Sequence, residues 1–277
     1  MAFQKARTDE VARTVSQEFN QKTSARHYQN EVQFSFYNHR EITQAFATGK
    51  AVDLVDIPKQ KGKSVLVIGS GPTLDEALPL VKDWEGEIIC STSQADTLVA
   101  WGHPPEHVVA LDPDSSPEEL VGVDWSQHDT YLHIHPGVSP QLVRTWPGKL
   151  ALFRKLQPQT PFFANEQNMG YAPLGPLRNG RYWGNESKPY ITAQIPMLAC
   201  VLSAQISIAK HLGYRQQVLV GADFSYPDGQ TRFTAQKRVG SGWEAVPPAA
   251  LEEYANRDAS KADPTFETEF GVVSTAM

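Results

Sequence analysis

The sequence predicts an α/β fold in which a doubly wound, mostly parallel sheet follows an N-terminal helical extension. From Lys63 onward, short apolar and β-branched blocks alternate with segments of helical periodicity. The blocks are continuously apolar, which is typical of parallel strands covered on both faces. Right-handed crossovers bring the carboxyl ends of such strands, and with them the ligand site, to one edge of the sheet. The predicted organisation is Rossmann-like.

Composition and charge narrow the classes of partner. The chain has 277 residues, a formal net charge of −6 and no long run of Lys or Arg, which argues against nucleic acid as a partner. Its apolar stretches are shorter than the ~18–20 residues of a membrane helix, and its polar start predicts no secretory signal. We therefore expect a cytoplasmic protein with no membrane partner. Cys90 and Cys200 lack metal-ligand spacing and are expected to be buried thiols in a reducing compartment.

Residues 1–58 are predicted to form the N-terminal helical extension. Apolar residues recur there at intervals of four, in two groups separated by polar residues: Val11, Val15 and Phe19, then Tyr28, Val32 and Phe36. This spacing indicates one or two amphipathic helices that pack on the main domain or on another chain. The extension is therefore a candidate surface for a homo-oligomer or an assembly partner.

Residues 59–240 are predicted to form the α/β domain. Five apolar blocks predict its first strands in chain order, namely "SVLVIG", "EIICST", "HVVALD", "TYLHIH" and "KLALF". Between them we expect helices over residues 74–84 and 94–101 and a short helical turn over residues 117–121. A further helix is expected in "PQLVRTW", where Ser139 can serve as the N-cap.

The alternation stops after the fifth block. Residues 157–190 are dense in Pro, Gly, Asn and aromatic residues, which predicts a lid or substrate-binding loop, or else a loop that contacts another copy of the chain. "QVLVGADF" predicts a further buried strand. Residues 241–277 are predicted to form a polar C-terminal segment, which we expect to be truncated at its end. The longest helix is predicted before that strand, with Gly213 as its stop and apolar spacings of four and three: Ile191, Ile195, Leu198, Leu202, Ile206 and Ala209.

The first strand runs into the turn "GSGPT", the leading candidate for a ligand site. Two glycines between a buried strand and a helix let backbone amides face a phosphate at the helix N-terminus, where the helix dipole also favours an anion. A tight turn with no ligand is the alternative. The candidate nucleotide-binding residues are Gly69, Ser70, Gly71, Pro72 and Thr73.

The fingerprint of a dinucleotide site is incomplete. Its third glycine position holds Leu74, and the second strand ends with Ser91 in place of an acid that would hold a ribose. No Gly-Lys-Ser or Gly-Lys-Thr follows the turn, so a P-loop is absent. Ser91 is a further candidate cofactor-binding residue.

Acids and histidines follow three other strands. Asp112 and Asp114 can chelate Mg²⁺ or Mn²⁺ bridging a nucleotide's phosphates, although Asp114 can instead cap a helix. His133 and His135 lie two residues apart and share one side of a strand, so either can act as a general base or have a structural role. Asp223 ends the "VLVGADF" strand, where an acid can bind a substrate hydroxyl or a metal.

Three motifs occur in an order that resembles the hydroxymethylpterin diphosphokinase MptE-like family, which includes the central domain of the motility-associated-factor (Maf) glycosyltransferases of flagellin. They read "VLVIGSGPTLDEALPLV", "LVAWGHPPEHVVALDP" and "LVGADFSYPDGQTRF", and the resemblance covers about residues 63–233. The chain departs from the family motifs at Thr73, where Ser is usual, at Glu106, where Asp is usual, and at Ala222, where Gln is usual. "ALDP" and "GADFSYPDG" are closer to the Maf branch than to the archaeal pterin kinases.

This resemblance implies a fold similar to the bacterial sialyltransferases and a nucleotide-activated donor such as a CMP-linked nonulosonic acid. By the same resemblance, residues 69–73 would hold the donor phosphate, with Asp112 and Asp223 near the reacting centre. The first hypothesis is therefore a Maf-like glycosyltransferase with a small-molecule or protein acceptor. The second is a hydroxymethylpterin diphosphokinase that uses ATP and Mg²⁺. The third is a non-catalytic binding module on the same fold.

Overall fold

The computed structural model describes about three-fifths of the chain. Within the described residues, no helix is both long and apolar enough to cross a lipid bilayer. The described residues are 30–31, 33–35, 37–81, 83–113, 115, 117–120, 122–156, 184–185, 188–189, 191, 193–196, 200–223, 236–239, 242–245, 265–267 and 273–275.

Fifteen strands and five helices are described, with single 3-10 turns at Leu54–Asp56, Pro117–Leu120 and Trp125–Gln127. The helices are α1 (described residues between 30 and 47), α2 (Leu74–Val81), α3 (Thr92–Ala100), α4 (Pro140–Thr145) and α5 (Val201–Leu212). The strands are β1 (Ala51–Asp53), β2 (Ser64–Ile68), β3 (Glu87–Ser91), β4 (His107–Ala110), β5 (Tyr131–Ile134), β6 (Lys149–Leu152), β7 (Arg154–Leu156), β8 (Gly184–Asn185), β9 (Lys188–Pro189), β10 (Gln194–Pro196), β11 (Gln216–Val220), β12 (Gln236–Val239), β13 (Gly242–Ala245), β14 (Thr265–Glu267) and β15 (Val273–Thr275).

Seven strands form one sheet in the order β1-β6-β5-β4-β3-β2-β11, and every neighbouring pair is parallel. The chain crosses the sheet in one direction from β2 to β6 and then returns to place β11 on the other side of β2. The direction of the connections therefore reverses between β2 and β11. In an open parallel sheet, ligands bind at the carboxyl ends of the strands at such a reversal.

The sheet is covered on both faces, which explains why its strands are continuously apolar. Leu66 and Ile68 of β2 pack in a core with residues of α1, α2, α3 and α4. Val65 and Val67 of the same strand pack on the opposite side with residues of α5. The predicted doubly wound parallel fold is confirmed.

Two predictions about the second half of the chain are wrong. The longest helix does not include Ile191 and Ile195, because β10 (Gln194–Pro196) pairs in parallel with β7; Pro196 lacks an amide hydrogen and disfavours helical geometry at Ile195. The helix runs from Val201 to Leu212, and the left-handed backbone of Gly213 at its C-cap (φ 86°) confirms the predicted stop. The strand predicted from "QVLVGADF" corresponds to β11 (Gln216–Val220). The prediction that it is buried is wrong, because β11 is the last strand on one side of the sheet and Leu219 is 46% exposed.

The described part of the N-terminal extension packs on the α/β domain. Ile42 and Ala45 of α1 belong to the first core, and Asn38 Nδ2 donates to the carbonyls of Pro136 (2.9 Å) and Val138 (2.7 Å). Strand β1, which the sequence assigned to this extension, joins the main sheet beside β6. Residues 1–29, residues 157–183, Asp114 and most of residues 241–277 lie outside the described residues, and so do the predictions made for them.

Candidate functional site

Two turns meet at the carboxyl ends of β2 and β11. The backbone N–H of Gly69 donates to the carbonyl of Val220 (2.8 Å), and that of Gly71 donates to the carbonyl of Gly221 (2.8 Å). These bonds continue the pairing of the two strands into the segments that follow them. The predicted phosphate turn therefore lies against the predicted acid-bearing turn, at the point where the strand order reverses.

The approach of the two turns leaves no space for side chains at three glycines. A Cβ on Gly69 would lie 2.2 Å from the carbonyl oxygen of Gly221, and one on Gly71 would lie 2.1 Å from Oδ2 of Asp223. Gly221 has a left-handed backbone (φ 64°), and its Cβ would lie 2.8 Å from the carbonyl oxygen of Gly69. The glycines of both motifs are thus explained by close backbone contact.

Asp223 caps the N-terminus of α2 from across this contact. Its Oδ2 accepts from the backbone N–H of Thr73 (2.9 Å), and its Oδ1 accepts from the Thr73 hydroxyl (2.6 Å). A carboxylate at this position satisfies an amide that has no partner within the helix and interacts favourably with the helix dipole. In the structure, the carboxylate of Asp223 occupies the position at the start of α2 where an anion is favoured.

Four uncharged polar side chains join the glycine turn to the start of α3, namely Ser70, Ser91, Ser93 and Gln94; we refer to them as the Gln94 cluster. Gln94 Oε1 accepts from the backbone N–H (3.0 Å) and the hydroxyl (2.6 Å) of Ser91. Gln94 Nε2 donates to the hydroxyl oxygens of Ser93 (2.7 Å) and Ser70. Ser91 and Gln94 are buried, whereas Ser70 and Ser93 are half-buried.

Two glutamines of this region were not among the site residues predicted from the sequence. Gln94 had a signal, because Ser-x-x-Gln at Ser91 is the spacing of a helix capping box. Gln205, buried on α5, had no local signal. In the amide orientation that satisfies both of its ends, Gln205 donates to the carbonyl of Ile68 (3.2 Å) and accepts from the N–H of Ser91 (2.7 Å).

Asp112 is exposed just beyond the carboxyl end of β4, and only β3 lies between that strand and β2. Its backbone carbonyl accepts from the N–H of Ser115 (3.0 Å). Asp114, its predicted partner in metal binding, lies outside the described residues. Among the residues that the structure describes, no group of three or more His, Cys, Asp or Glu is arranged to hold a metal ion.

His135 is buried and supports the backbone beside Asp112. Its Nε2 donates to the carbonyl of Leu111 (2.9 Å), because its Nδ1 accepts from the N–H of Gly137 (3.1 Å). Burial, with the nearby charge of Lys155, holds the pKa of His135 well below its usual value. Both ring nitrogens of this neutral histidine are therefore engaged by the backbone.

His133 is fully buried and belongs to a chain of hydrogen bonds toward the amino ends of the strands. Its Nε2 lies 3.0 Å from Nδ1 of His107, His107 Nε2 lies 2.8 Å from the Tyr214 hydroxyl, and Tyr214 donates to Glu87. Burial, with His107 adding to the effect, lowers the pKa of His133 well below its usual value. Strands β3 and β4 separate His133 from β2, and the structure does not bring it to the glycine turns.

A buried acid that the sequence analysis did not identify lies on α3, one turn beyond Thr92. Oδ2 of Asp96 accepts from the backbone N–H of Gly122 (2.9 Å), and its buried Oδ1 has no hydrogen-bond partner among the described residues. Burial raises the pKa of Asp96 to about 6, and the charge of Glu119 adds to this effect. Glu119 itself accepts from the Thr92 hydroxyl (2.5 Å).

Comparison with known proteins identifies a family and similar solved structures. Residues 36–229 match the model of the family described as 6-hydroxymethylpterin diphosphokinase MptE-like. A solved MAf glycosyltransferase from Magnetospirillum magneticum AMB-1 is similar over 86% of this chain, with 18% identity and a TM-score of 0.45. The chain covers 32% of the length of that glycosyltransferase. No curated protein matches the sequence.

Proposed function

This chain belongs to the 6-hydroxymethylpterin diphosphokinase MptE-like family, and we propose that it is a nucleotide-dependent transferase that transfers a sugar from a nucleotide-activated donor. One observation carries the proposal, namely the contact of the glycine turn after β2 with the Asp223 turn after β11 where the strand order reverses. The turn for which we propose phosphate binding and a carboxylate therefore lie side by side at the carboxyl ends of the strands, where such sheets bind ligands. The proposal includes a cytoplasmic location, as the sequence predicts.

The glycine turn supplies the groups that bind the donor phosphate. Residues 69–73 carry backbone amides at the N-terminus of α2, where the helix dipole favours an anion. Gly69 and Gly71 have no Cβ, so a phosphate oxygen can approach the main chain closely. Ser91, at the carboxyl end of β3, lies next to the turn, and we expect the nucleoside part of the donor to bind beside it.

Asp223 and the donor phosphate compete for the same N–H and hydroxyl of Thr73. Two anions in one place repel each other, so a phosphate that binds Thr73 displaces the Asp223 carboxylate. The acceptor oxygen then bonds to the anomeric carbon, while the bond from that carbon to the phosphate oxygen breaks and its electron pair leaves with the nucleotide. The displaced carboxylate takes the proton of the acceptor hydroxyl, and Asp112 orients the acceptor nearby.

We assign the base to Asp223 and not to either candidate histidine. Both ring nitrogens of His135 are bonded to backbone groups, so it positions Leu111 and the adjoining Asp112. His133 is bonded within the chain that leads to Glu87. The proposed donor, a CMP-linked nonulosonic acid, rests on the resemblance of "ALDP" and "GADFSYPDG" to the Maf branch.

A diphosphokinase is the second candidate, and the description of the matching family favours it. ATP would take the place of the sugar nucleotide, and Mg²⁺ would neutralise its phosphates. Asp112 offers an exposed carboxylate that suits this ion, and Asp114 follows it two residues later in the sequence. Transfer of diphosphate would then depend strictly on Mg²⁺.

A thermal-shift panel separates these functions. The ligands are CMP, CDP, UDP, GDP, ATP and their sugar forms, each with and without Mg²⁺, since a ligand at 100 times its Kd adds about 2.7 kcal/mol to the free energy of unfolding. We expect CMP or a sugar nucleotide to raise the Tm without Mg²⁺. Stabilisation by ATP with Mg²⁺ alone would replace the proposal with the diphosphokinase. If no nucleotide shifts the Tm, the chain is a non-catalytic module.

Asp223→Asn tests the assigned base. The amide keeps an oxygen for the N–H of Thr73 but removes the charge that repels phosphate and the group that takes the proton. We expect nucleotide affinity to be unchanged or higher, with transfer slower by roughly 100-fold to 10,000-fold. Calorimetry with the nucleotide and a transfer assay measure the two effects, and wild-type transfer by this variant would rule out Asp223 as the base.

A further inference from the structure

Hydrogen bonds fix the orientation of the Gln94 amide in the Gln94 cluster. The backbone N–H of Ser91 can only donate, so the Gln94 atom that lies 3.0 Å from it is the oxygen. The amide nitrogen therefore faces Ser70 and Ser93 and gives one hydrogen to each. All four bonds of this buried side chain are thus made within the cluster.

This orientation also determines where each serine hydrogen points. Ser91 lies 2.6 Å from an amide oxygen that has no hydrogen, so its hydroxyl donates to Gln94. The pair of Ser91 and Ser93 hydroxyls, 2.9 Å apart, must then be joined by the hydrogen of Ser93. The hydroxyl hydrogens of Ser91 and Ser93 therefore both form hydrogen bonds within the cluster.

Ser70 differs from the other two serines. Its oxygen accepts from Gln94, so its own hydrogen must point away from Gln94. Among the described residues, no acceptor is bonded to this hydrogen. Ser70 is half-buried and lies between Gly69 and Gly71, in the turn where the proposed phosphate binds.

We propose that Gln94 is a positioning residue that commits the Ser70 hydroxyl to donate a hydrogen bond to a phosphate oxygen of the nucleotide. The inference rests on the proposed function and deepens it by identifying how the site orients a donor toward the phosphate. A phosphate oxygen accepts hydrogen bonds, and because Gln94 already donates to the Ser70 oxygen, the Ser70 hydrogen is directed away from Gln94 and is available to a phosphate oxygen. Gln94 itself touches no ligand and acts through Ser70.

Gln94→Glu tests this polarity because it keeps the shape of the side chain. The carboxylate still accepts from Ser91, but it cannot donate to Ser70, so the Ser70 hydrogen turns toward it and a lone pair faces the ligand. Calorimetry is done with CMP, UMP, GMP and AMP, each compared with its nucleoside. We expect Gln94→Glu and Ser70→Ala each to weaken binding of the monophosphate roughly 10-fold to 100-fold and to leave nucleoside binding unchanged.

The double variant separates an effect through Ser70 from direct repulsion by the new charge. If Gln94 acts through Ser70, Gln94→Glu adds little further loss when Ser70 is already Ala. A full additional loss in that background would overturn the inference, as would equal losses for nucleotide and nucleoside. Gln44→Glu, an exposed change on α1, is the matched control and should bind as the wild type does.

Two further outcomes complete the test. If Gln94→Glu does not fold, as judged by its thermal transition, Gln94→Met releases Ser70 without adding charge, and we expect a phosphate-dependent loss of at least threefold. Wild-type affinity in Gln94→Met would overturn the inference while leaving the proposed function intact. A wild-type chain that binds none of the four monophosphates would overturn the proposed function and the inference with it.

Discussion

At the residue scale, the hydrogen bonds between Asp223 and Thr73 are the main feature of the glycine turn. The two oxygens of one carboxylate satisfy both the N–H and the hydroxyl at the start of α2 (2.9 and 2.6 Å). A phosphate would make the same kinds of bond, so the structure without ligand already shows which groups of the turn can hold an anion. The residues that the sequence assigned separately to phosphate binding and to chemistry are direct neighbours.

Gly71→Ala is expected to open this contact. The new Cβ would lie 2.1 Å from Oδ2 of Asp223, so the carboxylate must leave Thr73 or the turn must shift. The methyl group also blocks the close approach of a phosphate oxygen to the main chain of the turn. For this reason we expect at least a tenfold loss of nucleotide affinity, roughly 1.4 kcal/mol, measured by calorimetry. Gly49→Ala is the control: its left-handed backbone (φ 74°) makes alanine cost about 1 kcal/mol of stability, but nothing lies within 4 Å of the new Cβ. Unchanged nucleotide binding by Gly71→Ala would contradict this account.

Asp96 is a second residue whose environment leads to a prediction. Burial raises its pKa from an ordinary value of 3.8 to about 6. The folded protein therefore favours the protonated acid, so the contribution of Asp96 to stability is fully present below pH 3.8 and is lost as the pH rises through about 6. At pH 8 the ionised carboxylate has one buried oxygen without a partner among the described residues.

Asp96→Asn is accordingly expected to stabilise the protein at alkaline pH. Its amide oxygen still accepts from Gly122, and the buried charge is gone, so the gain at pH 8 should be on the order of 1–3 kcal/mol. The gain should shrink as the pH falls through about 6. Urea unfolding at pH 8, 6 and 4 measures it, and the exposed change Asp56→Asn should show no such trend. A variant that is less stable than the wild type at pH 8 would contradict the assignment.

At the element scale, α1 supports the loop that follows β5. Both hydrogens of the Asn38 amide go to backbone carbonyls of that loop, at Pro136 and Val138. The same loop contains Gly137, whose N–H donates to His135 Nδ1. His135 Nε2 in turn donates to the carbonyl of Leu111, the residue before Asp112. The N-terminal helix is thus tied through backbone bonds to one edge of the candidate site.

Asn38→Ala is expected to loosen α1. Two carbonyls of the β5 loop would lose their partner, which costs roughly 1–3 kcal/mol of stability. Hydrogen exchange should become faster in residues 37–47, and the Tm should fall. Gln44→Ala, an exposed change on the same helix, should leave both unaltered. Wild-type exchange rates in Asn38→Ala would show that other contacts hold the helix.

The element scale also shows where local patterns mislead. Ile191 and Ile195 continue the four-residue spacing of the true helix α5, yet β10 forms there and pairs with β7. Ile195 is buried against residues of α5, as the spacing predicts, but it lies in a strand and not in the helix. Spacing alone could not separate the two structures, because a buried strand and a buried helix both need apolar residues.

At the scale of the whole molecule, the carboxyl ends and the amino ends of the strands carry different side chains. The carboxyl edge holds the glycine turns, Asp223 and the Gln94 cluster. Near the amino edge, Glu87, His107 and Tyr214 link β3 and β4 to the segment that leads into β11, and Lys63 Nζ lies 2.6 Å from Glu87. Hydrogen bonds from His107, then Lys63 and Tyr214, outweigh burial and lower the pKa of Glu87 from an ordinary 4.5 to about 2.

Global stability should therefore depend on Glu87 in acid. Because the folded pKa lies below the ordinary value, the carboxylate contributes stability above pH 4.5, and this contribution is lost as the pH falls toward 2. Glu87→Gln should be less stable than the wild type at pH 7, by about 1 kcal/mol or more, and the difference should shrink below pH 4.5. Denaturant unfolding at pH 7, 4 and 3 tests this, with the exposed Glu85→Gln as control. A constant difference at all three values would contradict the prediction.

Sequence patterns were sufficient to predict the parallel sheet, the helices between its strands and the glycine turn at the carboxyl end of β2. These follow from patterns within one element, such as the continuous apolar run Val65–Ile68 and the stop at Gly213, because local sterics and burial depend on near neighbours. The family was also identifiable, since its motifs keep their order along the chain.

The contacts between residues that are distant in the sequence could not be predicted without the fold. Asp223 and Thr73 are 150 residues apart, and nothing in either segment indicates that one caps the other. Gln205 reaches Ser91 from α5 on the face of the sheet opposite α2, whereas His133, at a strand end by sequence, is bonded toward the other edge. Such pairings depend on which strands become neighbours and on which face each helix packs. A pattern within one element contains neither piece of information.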